Sequence, residues 1–155
     1  MSNGIKSGQF LTFKIEEELF ALEIFSVREI LEVPEITIVP GMSDLIRGIV
    51  NIRGLVIPVI DIKKKFIDKD TEITKDSVII VIEVKIDGDI SLMGIMADAA
   101  ESVISLTISD IEQPPKLGMA VNKNYLKGIG KTSKGFALLL DTETLFSEEE
   151  IIISV

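Results

Sequence analysis

The feature of the sequence that most constrains the fold is an internal repeat. Residues 44–61 resemble residues 124–141, since both contain a basic residue before Gly-Ile, a second basic residue before Gly, an apolar run and a final aspartate. A phenylalanine lies five residues beyond each aspartate. Residues 10–40 and 78–114 also run in parallel, each ending at a proline. The repeat predicts a duplicated unit of about five short strands, each unit a small barrel, with the two barrels packed side by side.

The hydrophobic pattern predicts strands for most of the chain. Ile and Val dominate the apolar residues, and their β-branched side chains favour a pleated backbone. Residues 82–86 alternate apolar and charged side chains, and the following Asp87-Gly88 is typical of a tight hairpin with residues 90–97 as the returning strand. Short helices are predicted only at residues 43–47, 63–66 and 142–148. We therefore expect a mostly β fold.

The same pattern predicts a single domain over residues 1–155 that contains two subdomains. The first covers about residues 8–67, and the helix at 142–148 is expected to pack back on it. The polar segment 68–76 is the natural linker, and the second subdomain covers about residues 77–141. An acidic and then apolar tail, residues 148–155, either adds an edge strand or frays.

The chain contains no cysteine and no histidine, two residue types on which much enzyme chemistry depends. Disulfides, thiolate nucleophiles, the commonest general base and the usual transition-metal ligands are thereby excluded. Asp61 and Asp141 end apolar runs, and capping of a following short helix explains both. We predict a protein with no catalytic residues, no cofactor and no metal.

Charge and hydropathy limit the partners. A formal net charge of -9 and a pI of about 4.6 oppose binding to a phosphate backbone, so nucleic acid is not an expected partner. The longest apolar runs, such as residues 78–82 and 136–140, are too short to span a bilayer, and residues 1–7 show no secretion signal. We therefore expect a cytoplasmic protein with no direct membrane insertion.

Arg53 is the charged residue with the clearest claim to a binding role. It lies between apolar Ile52 and the turn at Gly54, and its counterpart in the repeat is Lys134, which lacks the planar fork of a guanidinium. Glu29 lies in an otherwise apolar stretch and is a candidate partner for it. A plain surface arginine beside a turn is the alternative interpretation.

Several motifs together resemble the CheW family of bacterial chemotaxis coupling proteins. They are Phe-x-Ile at residues 13–15, Phe-Ala-Leu-Glu-Ile at 20–24, Val-Arg-Glu-Ile at 27–30, Ile-Arg-Gly-Ile-Val-Asn-Ile-Arg-Gly at 46–54 and Val-Ile-Pro-Val-Ile-Asp at 56–61. The resemblance implies two SH3-like five-stranded β-barrel subdomains without catalytic activity. It also implies an adaptor, a monomer when alone, that is recruited to receptor arrays at the inner face of the membrane. There it would couple the cytoplasmic hairpin of transmembrane chemoreceptors to the regulatory domain of the histidine kinase CheA.

The resemblance further implies two partner surfaces. The receptor surface is expected in an apolar groove at the junction of the two barrels, with these residues: Val27, Glu29, Ile30, Gly48, Arg53 and Val103. A backbone need for glycine competes with the groove role at Gly48. The kinase surface is expected near the first-barrel turn, with these residues: Ile38, Val39, Pro40 and Met42. An apolar turn that covers the core is the alternative there, and family members often carry an arginine at the position of Ile38.

Two other classes of function compete with the adaptor. An enzyme would need a carboxylate or a lysine in the cleft between the barrels, but duplicated halves offer no asymmetric catalytic constellation. An oligonucleotide-binding barrel would need basic stripes with exposed aromatic residues, whereas aromatic residues make up only 5% of this acidic chain.

Overall fold

The structure is a computed structural model that describes residues 7–115 and 125–146, without the side chain of Ile86. Within these ranges the chain forms eleven strands and two short α-helices. Their bounds are β1 (Gly8–Ile15), β2 (Glu18–Glu23), β3 (Val27–Glu32), β4 (Ile46–Ile52), β5 (Leu55–Asp61), α1 (Ile62–Ile67), β6 (Val78–Ile86), β7 (Asp89–Ala97), β8 (Ala99–Leu106), β9 (Ile111–Glu112), β10 (Leu126–Thr132), β11 (Gly135–Leu140) and α2 (Thr142–Phe146). The predicted mostly β class with a few short helices is confirmed, and the strands form two sheets of five and six strands.

The hairpin of β6 and β7 forms where the sequence predicts it. Ile86 pairs with Asp89 across the two-residue turn, in which Asp87 and Gly88 have φ angles of 53° and 84°. Positive φ at both positions is the geometry that matches the twist of the flanking strands. Both strands lie inside one sheet, which explains why the residues of β6 are mostly apolar.

The strands form two sheets whose orders repeat each other. One sheet has the order β8-β1-β2-β11-β10-β9, and the other has the order β3-β6-β7-β5-β4. In each sheet a hairpin is flanked by an antiparallel edge strand on one side and by a parallel strand on the other, β11 beside β2 and β5 beside β7. The duplicated sequence therefore builds two sheets of the same design.

The two halves of the sequence exchange their first hairpins. Strands β1 and β2 join β8 to β11, whereas β6 and β7 join β3 to β5. The chain thus crosses between sheets twice, at the short 3-10 turn Ile24–Ser26 and at Asp98. The predicted subdomain boundaries, about 8–67 and 77–141, do not coincide with the sheets, because a linear repeat does not reveal which copy supplies each strand.

The exchange produces one main core shared by both sheets. Phe13 and Phe20 of the six-stranded sheet and Ile80 and Ile95 of the five-stranded sheet belong to the same buried cluster. A row of stacked rings continues from Phe13 and Phe20 through Phe66 of α1 to Tyr125, with centroids 5.7 to 5.9 Å apart. Burying these side chains stabilises the arrangement of the sheets, since each aromatic side chain removes on the order of 150–250 Å² from water.

The helix predictions are partly corrected. Residues 43–45 form a turn and β4 begins at Ile46, so the helix predicted at 43–47 is wrong. Helices α1 and α2 are found, and each begins after a capping aspartate: Asp61 accepts a hydrogen bond from Lys64 N and Asp141 from Thr144 N. Helix α2 packs against β6, with Leu145 and Phe146 fully buried. The end of the predicted helix and the tail 148–155 lie outside the described residues.

Candidate functional site

The tip of the β4–β5 hairpin carries the best candidate for a binding site. The turn consists of Arg53 and Gly54, with φ angles of 51° and 89°. The left-handed backbone at Arg53 is unusual for a residue other than glycine and turns its side chain away from the strand alternation. The guanidinium of Arg53 donates a hydrogen bond to the carboxylate of Glu29 on β3. The predicted pairing of these two residues is present in the structure.

The ion pair of Arg53 and Glu29 lies at the protein surface. The side chain of Arg53 is 73% exposed and that of Glu29 is 28% exposed. The carboxylate of Glu29 raises the pKa of the Arg53 guanidinium, through the hydrogen bond first and through charge attraction second. Next to it on β3, Arg28 Nε donates to Glu83 Oε2 of β6 at 2.7 Å. Two arginines therefore rim this end of the sheet, each held by a glutamate.

A cavity of about 240 Å³, lined by both charged and apolar side chains, opens beside the ion pair. Its floor is formed by residues of four different strands, which are Ile52, Ile57, Val81 and Leu92. Leu55, directly after the turn, is 54% exposed at its mouth. Apolar walls with charged groups at the rim are common at surfaces that receive an apolar side chain of a partner protein.

The remaining residues predicted for the receptor surface lie in different environments. Val27 and Ile30 are on edge strand β3 with Glu29, but Val27 is half-buried and packs against the main core, whereas Ile30 is 40% exposed. Val103 lies on β8, the edge strand of the other sheet, and is 51% exposed. Arg53, Glu29 and Ile30 thus belong to the five-stranded sheet, while Val103 belongs to the six-stranded sheet.

Gly48 is not an exposed wall of a groove, which corrects that part of the prediction. It is buried under residues 36 and 37, and its φ angle is 153°. A Cβ atom there would lie 2.5 Å from the carbonyl oxygen of Thr37 and 2.6 Å from Ile36 Cγ2. The alternative interpretation, a backbone need for glycine, accounts for this residue.

The turn predicted for the kinase surface is mostly at the surface. Ile38 is 79% exposed, Pro40 is also exposed, and Val39 is half-buried. Met42 differs from them because it packs against the main core. A pair of hydrogen bonds between Thr37 and Ile49 ties the segment to β4. Met42 therefore contributes to the main core, whereas the other three residues, Ile38, Val39 and Pro40, do not.

The sequence did not single out a second apolar surface, around Phe25 and Ile90. Phe25 is 78% exposed and Ile90 is 65% exposed, and both line a cavity of about 330 Å³ between the two sheets. The rim includes Glu23 and Lys127, whose charged atoms lie 2.7 Å apart. Sequence alone does not reveal this surface, because an exposed phenylalanine beside a strand has the same pattern as a buried one.

The comparisons with known proteins identify the family. Residues 9–150 match the model of the CheW-like domain family. The chain belongs to the CheW family. It is 30% identical to the chemotaxis protein CheW of Klebsiella aerogenes over 145 residues, which cover 94% of this chain and 85% of that CheW. It is 34% identical to the chemotaxis protein CheW of Bacillus subtilis over 150 residues, with 96% and 94% of the two chains covered.

A solved CheW structure has the same fold. The crystal structure of the scaffolding protein CheW from Thermoanaerobacter tengcongensis superposes with a TM-score of 0.81 at 32% sequence identity, covering 97% of this chain and 94% of that chain. The resemblance to CheW that the sequence motifs indicate is therefore confirmed. In the described ranges, no helix has the length and apolar character needed to span a membrane. Among the same residues, no group of three or more acidic side chains is placed to hold a metal ion.

Proposed function

We propose that this protein is a non-enzymatic signalling adaptor that couples transmembrane chemoreceptors to the histidine kinase CheA in bacterial chemotaxis. The match of residues 9–150 to the CheW-like domain carries the proposal. The names of its relatives, chemotaxis protein and scaffolding protein, agree with it. The adaptor would work in the cytoplasm and be recruited to receptor arrays at the inner face of the membrane.

The receptor surface of the proposed adaptor includes Arg53, Glu29 and Ile30 at one end of the five-stranded sheet. The apolar floor of the cavity beside Arg53 and Glu29 would receive one apolar side chain of a helical hairpin, and the exposed guanidinium would bind a carboxylate on the same helix. Val103, which is 51% exposed, would extend the contact to the edge strand of the other sheet, while half-buried Val27 would contribute mainly by packing β3 against the main core. The groups are exposed and already held in place by the Arg53 to Glu29 pair, so little ordering of side chains is needed on binding.

The kinase surface of the proposed adaptor is the turn with Ile38, Val39 and Pro40. An isoleucine that is 79% exposed contributes little to the fold and gains most from burial against a partner. The hydrogen bonds between Thr37 and Ile49 anchor the start of the turn on β4. The regulatory domain of CheA is the partner proposed for this surface.

A reconstitution with three purified components tests the proposal. Receptor-containing membranes and CheA are mixed with and without this protein, and autophosphorylation of CheA is measured. We expect kinase activity to rise only when receptor, CheA and this protein are all present. Label should stay on CheA, since this chain has no histidine to accept it. Equal kinase activity with and without this protein, or stable phosphate on it, would contradict the proposal.

A further inference from the structure

A buried lysine lies where the chain crosses from the five-stranded to the six-stranded sheet. Lys63 of α1 is 7% exposed, and its Nζ lies 3.1 Å from Asp98 Oδ2 and 3.7 Å from Glu16 Oε2. Asp98 is the single residue between β7 and β8, and Glu16 belongs to the turn between β1 and β2. We call Lys63, Asp98 and Glu16 the Lys63 cluster. It joins a helix of one sheet to a hairpin of the other.

Backbone hydrogen bonds complete the Lys63 cluster. Asp98 Oδ2 accepts from the backbone N–H of Glu16 at 2.6 Å, and the backbone N–H of Asp98 donates to the carbonyl oxygen of Lys14 at 2.9 Å. Both carboxylates face the same ammonium, so removing its charge would leave two like charges beside each other. Lys63 is the buried member of the cluster, whereas the side chains of Glu16 and Asp98 are 44% and 27% exposed. A shift of either sheet would break the ion pair with Asp98 and both backbone hydrogen bonds together, so the cluster favours one geometry.

The repeat indicates that a lysine at this position is not needed to form the helix or the sheet beside it. In the repeat, Lys63 of α1 corresponds to Glu143 of α2, which is exposed. Both helices begin after the same kind of capped aspartate, so the helix itself forms with either residue. The requirement for a buried lysine therefore arises at the crossing between the sheets.

We propose that Lys63 is a positioning residue that fixes the two sheets in one relative orientation, and that receptor binding depends on this orientation. The inference rests on the proposed function, in which the receptor contacts Arg53 and Glu29 on one sheet and Val103 on the other. The kinase surface at Ile38 lies between β3 and β4, both in the five-stranded sheet, and does not need the second sheet. Loosening the crossing should therefore affect the two partners differently.

The test uses Lys63→Met, with Lys63→Arg as the charge-conserving variant and Lys64→Met as the matched control. Lys64 is the next residue of α1 and pairs with exposed Asp68 at 3.2 Å, so its loss removes a surface ion pair only. The chain has no cysteine, which allows spin labels at two introduced cysteines, Asp89→Cys and Ser105→Cys. These exposed positions lie on β7 and β8 and report the distance between the sheets.

We expect one narrow distance distribution for the parent, Lys63→Arg and Lys64→Met, and a clearly broader one for Lys63→Met. Lys63→Met should also lose about tenfold in affinity for the receptor hairpin and keep its affinity for the CheA regulatory domain within about twofold. An unchanged distance distribution, or a broader one with unchanged receptor affinity, overturns the inference. If Lys63→Met does not fold, Asp98→Asn takes its place, with the same expected and contradicting results. If even the parent does not bind the hairpin, the proposed function has failed, and the distances still decide the structural part.

Discussion

Lys134 and Glu101 form an ion pair, with 3.0 Å between Nζ and Oε1, at the position that Arg53 and Glu29 occupy in the other sheet. Lys134 lies in the turn before β11 as Arg53 lies in the turn before β5, and Glu101 and Glu29 lie on the corresponding edge strands. Pairing of a turn cation with an edge-strand glutamate therefore belongs to the repeated unit. What distinguishes Arg53 is its planar guanidinium, a group whose geometry allows two parallel hydrogen bonds to one carboxylate, as an ammonium does not.

Replacing Arg53 tests whether this guanidinium contacts the receptor. We expect Arg53→Ala to lower receptor-dependent activation of CheA by about tenfold, as truncation of an interface arginine often does. The melting temperature should change little, because the side chain is 73% exposed and its ion pair is at the surface. Kinase activation with receptor membranes and circular dichroism melting are the two measurements.

Lys134→Ala is the matched control for Arg53→Ala, since it removes the equivalent pair from the other sheet. It should leave kinase activation near the parent value. Arg53→Lys should restore the charge but only part of the activation, because an ammonium does not reproduce the two-pronged hydrogen bond. Equal losses in Arg53→Ala and Lys134→Ala would indicate that the pairs serve the fold and that the receptor binds elsewhere.

Replacing Ile38 tests the proposed kinase surface. Ile38→Asp places a charge on a side chain that is 79% exposed, so the fold should tolerate it while affinity for the CheA regulatory domain falls by about tenfold or more. Met42→Asp should instead lower the melting temperature, because Met42 packs against the main core. Calorimetric titration of the kinase domain, alongside thermal unfolding, separates the two effects. Unchanged affinity in Ile38→Asp would exclude the turn from the kinase contact.

The sequence predicts the elements better than it predicts their partners in space. The hairpin of β6 and β7 was predicted correctly because its turn chemistry is local, with Asp87 and Gly88 adopting the positive φ angles that the turn requires. Exchange of the first hairpins depends on which copy of a repeated strand lies nearest, and the two copies carry nearly the same pattern. The mis-assigned helix at 43–47 has a similar cause, since a short apolar run fits a turn before a strand as well as a helix.

In the candidate site, too, local features are predicted better than contacts between distant parts of the chain. Pairing of Arg53 with Glu29 was predicted because a lone glutamate in an apolar stretch suggests a nearby cation. The sequence is less informative about which residues are exposed. Gly48 is buried by a segment that lies earlier in the chain, and Met42 packs on a core formed mostly by other strands. The Lys63 cluster was not predicted, because Lys63, Asp98 and Glu16 are distant in sequence and meet only through the crossing of the sheets.

Replacing Gly48 tests why a glycine is needed in β4. Gly48→Ala would bring a methyl group to within 2.5 Å of the carbonyl oxygen of Thr37, at a φ angle of 153° that other residues rarely adopt. We expect a loss of about 1–3 kcal/mol in the free energy of unfolding, measured in urea. Gly8→Ala is the control, because its added Cβ has no neighbour within 4 Å. A stable Gly48→Ala variant that still loses receptor binding would instead support a direct role at the receptor surface.

The two capping aspartates offer the sharpest comparison between the halves. The carboxylate of Asp61 is buried and accepts hydrogen bonds from Arg47 Nη1 at 2.9 Å and from the backbone N–H and hydroxyl of Thr71 at 2.8 and 2.6 Å. It thereby ties the segment that follows α1, predicted as a plain linker, back onto the sheet. Asp141 is less deeply buried and accepts from Thr144 N at 3.2 Å.

Removing each carboxylate should therefore have unequal effects. Asp61→Ala leaves the two donors of buried Thr71 without their acceptor and removes the ion-pair partner of Arg47, which is 28% exposed and still donates to the carbonyl oxygen of Thr71. We expect a loss of about 3 kcal/mol in the free energy of unfolding. Asp141→Ala removes chiefly a helix cap, for which the expected loss is about 1 kcal/mol. Urea unfolding followed by circular dichroism measures both, and hydrogen exchange of the Thr71 amide reports whether the tether has opened. Similar losses in the two variants would show that Asp61 acts only as a cap and that the contacts with Arg47 and Thr71 add little to the stability of this fold.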